Sequence, residues 1–217
     1  YGTAFRAPNI NDLYQPGFDF FGTGTFLYAG NPNLQPEQSA TLEVGLRWQL
    51  GKAAQVRTTL YQTTIDNLIA FEGINAQAIN INRSALEGIE VEYDYKASAW
   101  DISASLTLQD ARDKDNDSKL LRRPDRKAVL RATRHNELWN YGAEVLLSSQ
   151  RDELDFNTSP ATRIQLPGYG LLNFFASYAL NRDLALELRL DNVLDKAYEL
   201  SYGYNTPERS LFLALRY

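Results

Sequence analysis

Along most of this chain apolar and polar residues alternate one by one. From 42 to 50, Leu42, Val44, Leu46, Trp48 and Leu50 fall on one side, with Glu43, Gly45, Arg47 and Gln49 on the other. The period of two returns at 88–96, where Ile89, Val91, Tyr93 and Tyr95 oppose Glu90, Glu92, Asp94 and Lys96. At 100–108, Trp100, Ile102, Ala104, Leu106 and Leu108 alternate with Asp101, Ser103, Ser105 and Thr107. Further copies lie at 139–147, 172–180, 184–190 and 211–217, with weaker ones at 54–66 and 126–134. Successive side chains of a strand face opposite ways, so the pattern predicts about nine strands. A stub at 1–7 makes roughly ten. Helical periodicity is nearly absent.

The connections alternate in length. Short ones fall at 51–52, 96–99, 135–137 and 181–183; long polar ones fall at 14–36, 67–83, 111–123, 149–168 and 194–208. A soluble two-sheet sandwich gives no reason for every tight turn to lie at one end. A transmembrane barrel does, with short periplasmic turns and long outside loops. Trp48, Tyr95, Trp100, Trp139, Tyr178 and Tyr217 all sit on apolar faces close to a short turn or the last residue, which predicts an aromatic girdle at one membrane interface.

Composition narrows the choice. The mean hydropathy of -0.40 suggests a soluble protein only if membrane proteins must be helical. Alternating strands average to a polar chain. The net charge of -5 and the lack of a basic stripe argue against nucleic acid as a partner. No cysteine means neither disulfides nor a thiolate metal site. Residues 1–4, Tyr-Gly-Thr-Ala, do not read as a start, and no signal peptide is visible in the sequence; the expectation is the C-terminal portion of a longer barrel domain, with a signal peptide and the early strands upstream.

The polar faces carry Glu90, Glu92 and Asp94 on one segment and Glu187, Arg189 and Asp191 on another. Buried dry, those charges would be prohibitive. They suit a wet lumen, or alternatively the solvated outside of a sandwich whose core is the leucine-rich side. A closed ten-stranded enzyme barrel is a third possibility, but it needs acids and a histidine clustered at the outer rim. The single histidine, His135, reads as a solvated residue in a predicted periplasmic turn. Residues 113–117, Asp-Lys-Asp-Asn-Asp, lack the glycine and distal glutamate of a calcium loop and read as a solvated segment. No catalytic group, resident cofactor or metal site is expected.

Three stretches resemble one family. "YGTAFRAPNINDLY" (1–14) with "GNPNLQPEQS" (30–39), "SALEGIEVEYDY" (84–95) and "LRLDNVLDKAYE" (188–199) are similar to the last portion of the 22-stranded TonB-dependent outer-membrane receptors. The resemblance covers essentially the whole chain and implies an all-β, antiparallel transmembrane barrel. It also implies a plug domain upstream, an inner-membrane TonB complex that drives import, and a Gram-negative outer-membrane location. Within the family, "LLRR" (120–123) and "YGYNTPER" (202–209) look most like the vitamin B12 (cobalamin) receptors. Ferric-siderophore or haem receptors are the alternative.

The resemblance also suggests where ligand sits. The first arginine of the Leu-Leu-Arg-Arg run contacts cobalamin in those receptors and maps to Arg122. A tyrosine in the next outside loop maps to Phe156, which keeps the ring and loses the hydroxyl. Arg122 has a plainer role open to it as well, pairing with Asp110, Asp113 or Glu153. Independently, Tyr14, Phe18, Phe20, Phe21, Phe26 and Tyr28 crowd one loop with more rings than an exposed loop ordinarily carries. Either they pack on one another or they offer apolar area to a bulky ligand. Tyr202 and Tyr204 join the expected set from the last outside loop. Leu213, Leu215 and Tyr217 form an apolar row ending in an aromatic, which resembles the signal that the barrel-assembly machinery reads. Metal sites known in cobalamin receptors belong to upstream loops and are not expected here.

Overall fold

The computed structural model describes residues 1–19, 22–97, 99–158 and 161–217. Its strands are β1 (Gly2–Arg6), β2 (Glu37–Leu50), β3 (Ala54–Ala70), β4 (Ile79–Ala97), β5 (Trp100–Asp113), β6 (Arg126–His135), β7 (Trp139–Ser148), β8 (Arg151–Asp155), β9 (Thr162–Leu166), β10 (Tyr169–Ala179), β11 (Ala185–Asp191) and β12 (Ser210–Arg216). Ten of them form one antiparallel sheet in simple meander order, β1 to β7 followed by β10 to β12. β8 and β9 form a separate hairpin within the connection between β7 and β10. β1 and β12 are the two edges, and the sheet does not close on itself.

The register turns sequence alternation into two continuous faces. Leu60 lies opposite Val44 on one side and Ile89 on the other, and Ile89 opposite Leu108. Farther round, Phe174 meets Ala143 and Leu190, while Leu188 meets Ala176 and Leu213. The apolar side chains of this face stay uncovered: Leu46 and Leu213 are each 66% exposed, so the face belongs against lipid rather than water. Near the short turns, the Trp139 and Tyr178 rings pack with centroids 4.6 Å apart, and Arg134 lies 5.2 Å over Trp100. These are the expected girdle rings, on the expected face.

The other face is polar and internally paired. Arg57 on β3 reaches Glu92 and Asp94 on β4 at 2.7 and 3.0 Å. Arg131 lies 3.6 Å from Glu144 and 4.2 Å over the Phe175 ring, and Arg189 lies 4.5 Å over Phe212. Two glycines admit large rings here. A Cβ on Gly88 would lie 2.6 Å from the Tyr61 hydroxyl, and one on Gly142 would lie 2.6 Å from Cζ of Phe175. Each ring covers the bare backbone of the glycine directly opposite it. His135 departs from the sequence expectation. It is the last residue of β6 rather than a turn residue; its side chain is partly exposed, with Nδ1 2.7 Å from the Asn140 side-chain oxygen and Nε2 3.3 Å from Asp101.

Two differences lie at the outer end. β3, β4 and β5 run on past the alternating stretch, to Ala70, from Ile79 and to Asp113, where loop was expected. Ile81, Ala111 and Leu120 are buried there with Leu68 and Leu86 against them, and a second small cluster joins Leu34, Ile69 and Ala78. With apolar cover on both sides, alternation disappears while the hydrogen-bond ladder continues. The second difference is α1 (Ile10–Tyr14), a single turn of helix begun by a capping box: Asn9 Oδ1 accepts from the amides of Asn11 and Asp12, and the Asp12 carboxylate accepts from the amide of Asn9.

Candidate functional site

All the long connections, 7–36, 71–78, 114–125, 149–168 and 192–209, leave the sheet at one end, and hydrogen bonds knit them into a mouth. The first folds back on itself, with Phe18 and Leu27 exchanging backbone hydrogen bonds of 2.8 and 2.9 Å. Its return arm docks on the second: the amide of Tyr28 donates to Asn75 O, and that of Ala78 to Ala29 O. Tyr28 holds a left-handed backbone (φ 57°) there. Its ring meets Phe156 edge-on with centroids 5.1 Å apart, and Phe71 at 6.4 Å. Burial pushes the Tyr28 hydroxyl above its ordinary pKa; Arg122 opposes the shift, while Tyr204 and Glu153 add to it. Those three therefore lie within electrostatic reach of Tyr28.

The β8–β9 hairpin is the hub of this arrangement. Arg151 donates to the Glu199 carbonyl and lies 5.7 Å over Tyr169, whose ring stacks on Tyr198 at 4.6 Å. Arg163 donates to Asp152 and to the Lys119 carbonyl, both at 2.8 Å, and lies 3.8 Å from Glu72. Burial raises the Glu72 pKa, and the attraction of Arg163 only partly offsets that. Glu153 is 1% exposed and accepts from Arg122 Nε at 2.7 Å and from Ser201 Oγ at 3.2 Å. The Arg122 amide donates to Asp152 O at 2.8 Å, in a left-handed conformation (φ 60°).

The structure thus brings Tyr28 and Phe156 into ring contact and ties Arg122 to the hairpin through Glu153, while Tyr204 is 74% exposed. Of the possible partners for Arg122, the one it takes is Glu153; Asp110 pairs with Arg112, and Asp113 accepts from Asp115 N and Asn116 Nδ2. Tyr14 on α1 is exposed, as is Tyr202, and neither ring touches the Tyr28 group. Phe20 and its neighbour Phe21 lie outside the described residues. Leu213 and Leu215 share the lipid-facing row with Tyr217, which is 99% exposed. Beside Phe156 lies a cleft of about 320 Å³, lined by Thr23, Thr25, Asn75, Asn157 and Thr158 around Leu27. Sequence reasoning missed Glu72, Arg163 and the hairpin itself. The run Arg-Asp-Glu-Leu-Asp at 151–155 has no alternation to announce a strand.

An open antiparallel sheet with one lipid-facing side, one charged side and its long loops gathered at one end defines part of an outer-membrane-type barrel. The sequence model of the TonB dependent receptor-like β-barrel family matches residues 1–193, and the chain belongs to that family. Among relatives, the vitamin B12 transporter BtuB of Vibrio cholerae is 30% identical over 227 aligned positions, which cover all of this chain and 34% of that protein. The chain therefore spans about a third of the length of the curated relatives it matches. Among solved structures, the copper transporter OprC superimposes with a TM-score of 0.75 at 20% identity, covering 98% of this chain and 35% of that one. A mutant of the ferric enterobactin receptor PfeA of Pseudomonas aeruginosa gives 0.74 at 19% identity, covering 98% and 36%. The two structural likenesses establish the fold.

Proposed function

We propose that this chain is the C-terminal part of the barrel of an outer-membrane receptor that captures cobalamin and imports it to the periplasm with TonB-coupled energy. The observation that carries the reading is the mouth itself. Tyr28 and Phe156 meet there and Arg122 is tied to the same hairpin; Phe156 and Arg122 are the positions where the resemblance to cobalamin receptors puts ligand contacts, and a cleft lined by Thr and Asn side chains around Leu27 adjoins Phe156. The relatives that align along the entire chain are vitamin B12 transporters, which supports the same ligand.

Charge separates this reading from a ferric-siderophore receptor. Across the five outside segments acidic side chains outnumber basic ones twelve to eight, and 7–36 holds Asp12 and Asp19 with no lysine or arginine. A polyanionic ferric chelate would meet repulsion there, whereas cyanocobalamin, with no net charge, would not. The TonB complex acts through a plug domain carried elsewhere in the receptor. Lipid is the partner of the leucine-rich face, and the barrel-assembly machinery is the partner of the Leu213–Leu215–Tyr217 row. His135, the single histidine of the sequence, lies at the opposite end of the sheet.

Titrating the full-length receptor with cyanocobalamin tests the assignment, and absence of binding at micromolar ligand overturns it. Arg122→Ala removes charge-assisted donors and is expected to weaken binding roughly tenfold or more. An unchanged affinity in that variant removes Arg122 from the site.

A further inference from the structure

Glu153 is the most deeply buried charge among the described residues of the mouth, and it is not one of the positions that the resemblance maps to ligand. Its Oε2 accepts from Arg122 Nε at 2.7 Å and from Ser201 Oγ at 3.2 Å, and its Oε1 accepts from the amide of Leu154 at 3.0 Å. A carboxylate this far from water persists only with its charge paired and its lone pairs satisfied. Those donors come from three different segments: 114–125, the hairpin and 192–209. The carboxylate is therefore sealed in place.

Arg122 is its opposite. The side chain is 54% exposed, only its Nε edge is committed, and neither Nη nitrogen has a partner among the described residues. The backbone is pinned too, by the amide bond to Asp152 O in a left-handed conformation that a non-glycine residue adopts at a cost. The mouth thus presents a fixed fork of N–H donors whose charge is cancelled by a carboxylate 2.7 Å away. Donors with little net field suit a neutral carbonyl oxygen. They give an anion much less than a free guanidinium would. The surroundings agree, since Tyr28 and Phe156 offer ring surface and the adjoining cleft is lined by uncharged Thr and Asn side chains.

We propose that Glu153 is the positioning and charge-setting residue of the mouth: with Arg122 it forms a neutral donor site for an uncharged ligand bearing amide carbonyls, and it thereby turns away polyanionic ligands. This rests on Arg122 being a ligand contact, as read above. Removing the Glu153 charge while keeping its shape should unmask the guanidinium and shift selectivity toward anions. A merely structural role would weaken all ligands alike.

The test uses the full-length receptor, wild type and Glu153→Gln. Two probes are titrated: cyanocobalamin, and a cyanocobalamin derivative with one peripheral propionamide hydrolysed to a propionate. The wild type should prefer the neutral probe. The variant should shift the ratio of the two affinities toward the anion by about tenfold, and an unchanged ratio overturns the proposal. Should Glu153→Gln fail to assemble, Glu153→Asp keeps the charge and should keep the wild-type ratio; a ratio shifted to the anion in that variant overturns the proposal as well. A wild-type arm needs no variant: a trianionic ferric tricatecholate must bind more weakly than a neutral ferric trihydroxamate, and the reverse order sinks the idea. If the wild type ignores cyanocobalamin yet prefers the neutral chelate, the cobalamin reading fails and this one stands.

Discussion

In the wall, Leu188 on β11 meets Ala176 on one side and Leu213 on the other, and all three belong to one lipid-facing row. At the mouth, Glu153 sits in the protein with Arg122 and Ser201 as its donors, each from a different segment. The wall repeats one backbone ladder, so each residue contributes little alone and the pattern is robust. The mouth depends on single side-chain ties across long stretches of sequence, so one substitution can redirect it. The wall is built for a solvent and the mouth for contacts between loops. That difference explains why the strands follow a rule of alternation while the loops do not.

The largest expected effect breaks the wall. Leu130 and Arg131 are adjacent on β6 and face opposite ways, Leu130 opposite Ala104 and Val145, Arg131 opposite Ser103 and Glu144. Leu130→Arg should cost about 2–4 kcal/mol at mid-bilayer depth and sharply lower the amount of receptor in outer-membrane fractions. Ser105→Arg, on the charged face opposite Glu92, should assemble at the normal level. Equal levels of the two variants would mean that the faces are assigned the wrong way round.

A smaller effect probes how the charged face is packed. Gly142→Ala sets a methyl against the Phe175 ring and the Ala132 carbonyl, which should destabilise the barrel by about 1–3 kcal/mol. Thermal unfolding of the full-length receptor in detergent reads this out, and an unshifted midpoint would show that both the ring and the β6 backbone at Ala132 give way without cost.

The smallest effect contrasts two carboxylates at the outer end, Glu37 at the tip of β2 and Glu72 in the mouth. Arg6 grips Glu37 through Nε and Nη2 at 2.7 and 2.8 Å, and the Ile69 amide adds a third bond, so the Glu37 pKa is lowered. Its contribution is present above the ordinary carboxylate pKa and fades as pH falls through the lowered value. Glu72 has the opposite sign. Burial raises its pKa, so its contribution to docking of 71–78 is complete in acid and fades as pH rises through the raised value. Amide hydrogen exchange across a pH series should show β1–β2 pairing loosening in acid, and 71–78 tightening there. Glu72→Gln should erase only the second trend; persistence of that trend in the variant would assign it to another group.

How much of this was legible beforehand varies by residue. Trp139 and Tyr178 could be placed on one rim from their spacing alone, because a strand allows a side chain only two directions. The arrangement of the expected ligand residues was only partly legible. Tyr28 meets Phe156 and Arg122 joins the hairpin, whereas Tyr14, Tyr202 and Tyr204 are exposed. Ring content marks a loop as unusual without saying which rings will face one another. Glu153 could be offered only as one of three possible partners for Arg122, because a buried ion pair leaves no periodic trace.

The sequence by itself determined the strand faces, the alternation of short and long connections and the rim of aromatic residues. Period-two placement is a local consequence of backbone geometry, and the solvent on each face selects the residue types. The tertiary structure alone decided that β3 to β5 extend past the alternating stretch, that 151–166 forms a hairpin, and which carboxylate neutralises Arg122. Those choices depend on contacts between segments far apart in the chain, and no local pattern of apolar and polar residues encodes which distant partner completes a buried charge.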